Sequence, residues 1–297
     1  MRAVWSFWSL PHRAYYHRAW RSDFHHVLSW VLSVHEARKH YPETALVTDS
    51  AGAQLLVDRL GLPFDHVDLA LDRLESTEEW WVLGKLTAYS RQTTPFIHID
   101  SDAYLWKPLP AAVTAAPVFA QNPEFFRLRH QPLYRLDAFL AGIEQFGGWI
   151  PQELQWYAAT RGTAALCCGI LGGNDVAFIR HYADQAIATI RHPRNQAVWP
   201  SLGIRDNILV EQYFLSACLR YHRQSASSPH RGVKARYLFP SSKAAFDPPA
   251  ASKAGYTHLI GDAKNNQGIA EQLDRRVRSD YPESYERCRA LADSQRA

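Results

Sequence analysis

FIHIDSDAYLWKPLP, Phe96 to Pro110, is the stretch on which the fold turns. Phe96 to Ile99 is apolar enough for a central strand covered on both faces of a sheet. The run then ends in Asp100 and Asp102 before prolines turn the chain away. On a straight strand, residues two apart point to one face, so both carboxylates reach one hard cation while Ser101 turns the other way. Mg²⁺ and Mn²⁺ take such oxygen ligands and keep positions open for phosphate oxygens. Asp and Ser also close strands by bonding nearby backbone. A bare Asp-x-Asp leaves both readings open.

Working outward, strands alternate with helices. Ala3 to Trp8 reads as strand one, Phe24 to His40 as a helix, and Thr44 to Thr48 as strand two ending at Asp49. A helix from Gly52 to Leu60 stops at Gly61-Leu-Pro, and Phe64 to Leu69 gives a third strand. Ser76 to Glu79 has the Ser-x-x-Glu spacing of a capping box and introduces a helix to about Ser90. Strand, helix, strand, helix, strand opens a doubly wound α/β sheet, mixed but mainly parallel, with helices on both faces. In such sheets ligands bind beyond the carboxyl ends of the strands, where Asp100 and Asp102 lie.

Composition agrees with one large domain: 297 residues, 46% hydrophobic and 12% aromatic. We expect it to span residues 1–270, followed by a charged helical tail over 271–297, EQLDRRVRSDYPESYERCRALADSQRA, whose Leu273 and Val277 alone offer an apolar stripe before Pro282. The 33 basic and 29 acidic residues are spread along the chain, a balance that suits an anionic ligand without announcing nucleic acid. Four cysteines form no CxxC pair and point to a reduced, cytoplasmic protein. The first residues read as neither signal peptide nor membrane span, and no later run approaches the ~20 apolar residues of a span.

Several motifs fail. His35-Glu36 with His40 imitates a zinc-protease helix, but five residues place the histidines about 140° apart around the axis. Phosphate-loop, dinucleotide and nucleophile-elbow patterns are missing from the sequence. The run HRAYYHRAWRSDFHH, His12 to His26, packs a helix or shapes a groove rather than gripping a nucleic acid, since no wider basic surface accompanies it.

Far downstream, Tyr256-Thr-His-Leu-Ile-Gly-Asp-Ala-Lys264 follows a connector, PSSKAAFDPPAASKAG, that reads as a loop. A neutral imidazole completes a metal site begun by two carboxylates, Gly261 permits close backbone approach, and Lys264 supplies charge to a phosphate. A strand ending in Asp-x-Asp, a glycine-bearing segment mid-chain and a late His-x-x-Gly-x-x-Lys together resemble the glycogenin and bacterial galactosyltransferase type of retaining glycosyltransferase, which has the GT-A fold. The resemblance covers the order of elements over about residues 1–265, on one-domain grounds.

That resemblance implies transfer of a sugar from a nucleotide diphosphate sugar, usually a UDP-sugar, to a hydroxyl acceptor, with Mn²⁺ (or Mg²⁺) between protein and diphosphate. It implies Asp100, Asp102 and His258 as metal ligands and Lys264 on the diphosphate, with Ser101 and Gly261 in the donor-contacting set. The family continues with Pro-Trp after that Lys, where this chain has Asn265-Asn266. A basic residue before the metal strand contacts the donor, which makes Lys85 a candidate; a lysine laying its stem over apolar surface is the other reading. Gly169, Gly172 and Gly173, in AALCCGILGGND, either admit backbone to the donor sugar or serve turns. Trp8, Ser9 and Asp49, at the ends of strands one and two, fall where the base and ribose would lie.

Near Asp206 to Tyr221, Glu211 and Gln212 fall inside an apolar helical stripe. A buried carboxylate is costly unless paired. They are candidates for the catalytic region; an ion pair with Arg161 or Arg205 is the structural alternative. The family picture has the acceptor attack from the leaving-group face, while a Glu211 nucleophile and double displacement stays open. Two other classes compete: a nucleotidyltransferase, which would carry a glycine-rich basic loop after strand one where SFWSLPHRAYY has none, and a noncatalytic nucleotide-sugar-binding protein, which would lack a ligand where none is missing.

Overall fold

The computed structural model describes residues 1–14, 19–75, 79–126 and 133–294. Its strands are β1 (Arg2–Phe7), β2 (Thr44–Thr48), β3 (His66–Asp68), β4 (Phe96–Ile99), β5 (Ala103–Leu105), β6 (Val118–Phe125), β7 (Ala164–Gly173), β8 (Ala235–Tyr237) and β9 (Tyr256–His258). Seven form one sheet in the order β3-β2-β1-β4-β7-β6-β8. The first four run parallel, β7 is antiparallel to both β4 and β6, and β8 is parallel to β6. The doubly wound, mixed and mainly parallel α/β sheet expected from the sequence is therefore present. β5 and β9 pair separately as a two-stranded antiparallel ribbon.

The helices are α1 (Ser9–Ala14), α2 (Asp23–Arg38), α3 (Ser50–Ala53), α4 (Val82–Ser90), α5 (Ala111–Thr114), α6 (Leu136–Phe146), α7 (Gln152–Ala159), α8 (Val176–Arg191), α9 (Phe214–Gln224), α10 (Ser242–Ala245), α11 (Pro248–Ala254), α12 (Gln267–Asp280) and α13 (Pro282–Ser294). Strand alternation divides the core. From β1, Val4 joins the layer formed with α4, α8 and α9, while Ala3, Trp5 and Phe7 join the layer formed with α2, α12 and α13. Among the described residues, no helix is long and apolar enough to cross a membrane. All four cysteines are free and buried.

Several boundaries differ from the sequence reading. The expected helix from 52 to 60 is a short α3, capped by Asp49, that widens into a π-type turn over Gln54–Arg59. The third strand narrows to three residues. Of the capping box read at Ser76 to Glu79, residues 76–78 lie outside the described residues, and α4 begins only at Val82. The connector read as a loop contains α10 and α11, because Ser241 and Asp247 act as N-caps and proline fills the first turn of α11, where its missing N–H costs nothing. Residues 271–294 fold onto α2: Leu273, Val277, Tyr285, Cys288 and Leu291 are buried there, Tyr281 donates to Glu36 at 2.8 Å and stacks on His35 at 4.6 Å.

Candidate functional site

The carboxyl ends of β1, β2 and β4 open on one edge of the sheet, as parallel strands require. Asp100 and Asp102 do not continue a straight strand. The chain turns between β4 and β5, with the Ala103 N–H donating to the Asp100 carbonyl at 2.9 Å. Two buried serines one turn apart on α2 hold this turn. Ser29 Oγ donates to the Ser101 carbonyl at 2.7 Å, and Ser33 Oγ lies 2.8 Å from the Ala103 carbonyl. The turn reading therefore holds for these residues, and the same turn sets the two carboxylates near one another.

The β5–β9 ribbon explains how a motif 156 residues after Asp102 reaches it. Ala103 pairs with His258, and the Leu259 N–H donates to the Asp102 carbonyl at 2.9 Å. Gly261, at φ +56°, then takes the left-handed turn that glycine favours. The following helical turn, Gly261–Asn265, brings Lys264 back over the site.

The resulting distances are short. His258 Nε2 lies 3.3 Å from Asp102 Oδ1, and Lys264 Nζ 2.5 Å from Asp102 Oδ2. Lys85 Nζ lies 2.9 Å from Asp100 Oδ1 and 2.7 Å from Glu211 Oε1, and donates to the Cys168 carbonyl at 3.2 Å. Glu211 therefore has a buried cationic partner, and it is Lys85 from α4 rather than Arg161 or Arg205. Tyr89 donates to Glu211 Oε1 at 3.3 Å; Oε2 has no hydrogen-bond partner among the described residues. Gln212 Oε1 accepts from Tyr134 at 2.6 Å. Glu211 and Gln212 sit in a π-type turn, Leu209–Tyr213, a distortion frequent at functional sites.

Burial and charge set the protonation states. Burial pushes Asp100 up to about 6, with the Asp102 charge adding to it and Lys85 opposing. Burial also disfavours ionised Asp102, but Lys264 and His258 outweigh it and hold that carboxyl well below the usual range. For His258 burial opposes the charge, and the Asp102 carboxylate overcomes it, raising the imidazole to about 10. Lys85 follows the same pattern: burial opposes its charge, and Asp100 and Glu211 raise it well above an ordinary ammonium.

One ligand atom each from Asp100, Asp102 and His258 lies within 4.8 Å of the other two. His258 Nδ1 is 2.7 Å from Gln121 Oε1, which also accepts from Tyr256 at 2.7 Å. With Nδ1–H donating to Gln121, neutral His258 turns the lone pair of Nε2 toward the Asp102 carboxylate. Two acceptors then face each other, and either a proton or a metal cation must lie between them. Two carboxylates and one imidazole fit a divalent cation of the kind the resemblance implies.

The other candidates fall at graded distances. Trp8, Lys85, Ser101, Gln212, Gly261 and Lys264 line, with the three possible ligands, a cleft of about 320 Å³. Gly169 lies beneath His258: a Cβ there would come within 2.4 Å of both His258 Nδ1 and Gln121 Oε1. Gly172 lies inside the sheet opposite Ile97, where a Cβ would strike the Phe96 carbonyl. Gly173 abuts the Pro117 carbonyl in the same way. Ser9 and Asp49 bind each other at 2.6 Å, and Asp49 also caps α3 through the Gly52 N–H at 2.8 Å. Trp20 and His26 from the aromatic run, and Trp81 one turn from Lys85, also line the cleft, as does Trp30, which nothing in the sequence singled out. Lys264 Nζ stands 5.7 Å from the Trp20 ring, so part of the aromatic run from His12 to His26 forms a cleft wall.

A family model described as a family of unknown function, DUF6734, matches residues 1–291. No curated protein matches the chain. Among solved structures, a complex of the galactosyltransferase LgtC with donor and acceptor sugar analogs covers 97% of this chain and 100% of its own, at 10% identity and a TM-score of 0.46. A structure of an LgtC active-site mutant aligns over the same shares at 10% identity and a TM-score of 0.45.

Proposed function

We propose that this chain, which belongs to the family of unknown function DUF6734, is a metal-dependent glycosyltransferase that moves a sugar, with retention, from a UDP-sugar to a hydroxyl acceptor. The observation that carries the reading is the convergence of Asp100, Asp102 and His258 within 4.8 Å at the carboxyl edge of the sheet, between two lysines. Few folds need two carboxylates, an imidazole and two ammonium groups at one open cleft unless they handle a polyanion and its counter-ion.

In this reading Asp100, Asp102 and His258 would hold the divalent cation, which when bound would supply positive charge for a diphosphate leaving group. Lys264, released from Asp102, holds the diphosphate. Lys85, fastened between Asp100 and Glu211, orients the Asp100 carboxylate. Gln212 stands on the cleft wall toward the sugar, and the acceptor hydroxyl attacks on the face that the leaving group vacates, the departing phosphate oxygen accepting its proton. Glu211, fully buried beneath Lys85, supplies the countercharge that keeps Lys85 in place. Trp8, with the Ser9–Asp49 pair behind it, marks the nucleotide end, and the tryptophan-lined wall is open to the acceptor.

Thermal shift with UDP, GDP, CDP and TDP, each with and without Mn²⁺, tests the reading through the mass-action gain of bound ligand. We expect UDP to raise the melting point only with Mn²⁺, and Asp102→Ala to abolish both this shift and metal-dependent hydrolysis of the donor while leaving the fold intact. Metal-independent shifts, or full activity in Asp102→Ala, would remove the metal site from the mechanism.

A further inference from the structure

Away from the cleft, three helices close on a second group of ligand atoms. Glu153 in the first turn of α7, His181 in α8 and His222 near the end of α9 each offer one atom, all within 4.8 Å of one another. His181 Nε2 lies 2.8 Å and His222 Nε2 3.2 Å from Glu153 Oε1. Tetrahedral zinc, with bonds of about 2.0–2.1 Å, sets its ligand atoms roughly 3.3 Å apart. Both distances to Glu153 are near that spacing, and the two imidazole atoms lie within 4.8 Å of each other.

Its hydrogen bonding is incomplete in a directed way. The His222 side chain is 5% exposed, and its Nε2 has no hydrogen-bond partner among the described residues although it faces the Glu153 carboxylate. The opposite ring nitrogen is anchored: Nδ1 lies 2.5 Å from Ser228 Oγ, which also accepts the His230 N–H at 2.9 Å. With Nδ1–H donating to Ser228, the Nε2 lone pair points into the cluster, the arrangement by which an outer hydrogen bond orients a metal-binding histidine. The His230 ring borders the group, its centroid 5.2 Å from that of His181 and 5.4 Å from that of His222.

We propose that Glu153, His181 and His222 form a Zn²⁺ site, with His230 beside the fourth position, and that the ion braces α9, the helix that continues from the Glu211 turn. Two imidazoles and one carboxylate favour zinc over the hard cations that suit the carboxylate-rich cleft. The site ties α7 and α8 to α9 and so fixes the far end of the helical path that begins at Leu209. His222 lies eleven residues beyond Glu211 on that path, roughly 16 Å at 1.5 Å per residue. The assignment stands apart from the glycosyltransferase reading, none of whose roles uses these residues.

The test uses the full chain carrying Asp102→Ala, which disables the cleft ligands. The protein is loaded with Zn²⁺, dialysed against metal-free buffer and assayed for bound metal by mass spectrometry, with X-ray absorption at the zinc edge. We expect one zinc per chain with a nitrogen and oxygen shell at about 2.0–2.1 Å, and a zinc-dependent rise in melting point. Adding His181→Gln or His222→Gln should remove both. His181 is 29% exposed, so its variant carries the comparison should the buried His222 variant fail to fold. Zinc absent from Asp102→Ala, or equal zinc with and without His181, would overturn the assignment. Mn²⁺-dependent UDP binding that persists in His181→Gln on the otherwise unchanged chain separates this outcome from that of the cleft.

Discussion

Replacing Lys85 by Met removes the ammonium that stands between Asp100 and Glu211 while keeping most of the side chain's volume. The two contacts are 2.9 and 2.7 Å long, and the Glu211 side chain is 0% exposed. At an effective dielectric near 20, each contact attracts by about 6 kcal/mol. Desolvation of the three charges offsets most of that, but removing one partner leaves the desolvated carboxylate uncompensated, at a cost of about 3–5 kcal/mol. Against a typical total stability of about 5–15 kcal/mol this is a large fraction. The melting point should fall by roughly 5–8 °C. Guanidinium unfolding at pH 7 of the metal-free chain, with Lys85→Met, Glu211→Gln and the double variant, reads the effect as a double-mutant cycle. We expect the double variant to recover more than half of the single loss, because the orphaned charge is gone. A loss below about 1 kcal/mol, or a double variant no more stable than Lys85→Met, would refute the assignment of Lys85 as the counter-charge of a buried carboxylate.

Three further expectations follow from the same geometry. The His258 imidazole is raised in the folded chain, so its stabilising contribution is complete below pH 6.5 and is lost as pH rises toward about 10; in EDTA the melting point should decline over that window, and Asp102→Asn should flatten the decline. Gly169→Ala places a methyl where His258 and Gln121 already stand, so Mn²⁺ affinity measured by calorimetry should drop at least tenfold, together with about 1–3 kcal/mol of stability; unchanged affinity would show that His258 is not a ligand. Leu273→Ala, in the segment that reads as a surface tail, should cost about 2–5 kcal/mol in chemical unfolding, because Leu273 is buried against the α2 layer.

The sheet was legible because its cues are local. Apolar runs of strand length, glycine and proline stops and a strand ending in acidic residues all lie within short windows, and β1, β2 and β4 fall within a residue or two of their expected positions. Partners were less legible. The stripe containing Glu211 announced burial, but Lys85, 126 residues earlier, is found only once α4 and the Leu209–Tyr213 turn are packed together. Ser29 and Ser33 look like ordinary helix residues until the carbonyls of the Asp100–Ala103 turn are seen above them. Gln121 carries no motif at all, and its role depends on where β6 passes His258. In the C-terminal segment, charge frequency concealed a real stripe: Leu273 and Val277, with Tyr285, Cys288 and Leu291 beyond Pro282, were too widely spaced to outweigh the arginines around them. Periodicity indicates which face is buried and is silent about what buries it.

The β5–β9 ribbon has a consequence for how such chains can diverge. The acidic turn and the histidine, far apart in sequence, are brought together by the three rungs from Ala103–His258 to Leu105–Tyr256, with the Leu259 N–H on the Asp102 carbonyl and Gln121 on the imidazole. Insertions or deletions in the loops between residues 106 and 255 are tolerable so long as that register and the strands β6 and β7, which carry Gln121 and Gly169, are kept. A slip of one residue in the ribbon would turn His258 away from Asp102 without altering either motif. Relatives are therefore better matched by strand pairing at this ribbon than by counting residues between motifs, and a chain that preserves both motifs but loses the pairing should be expected to have lost the site.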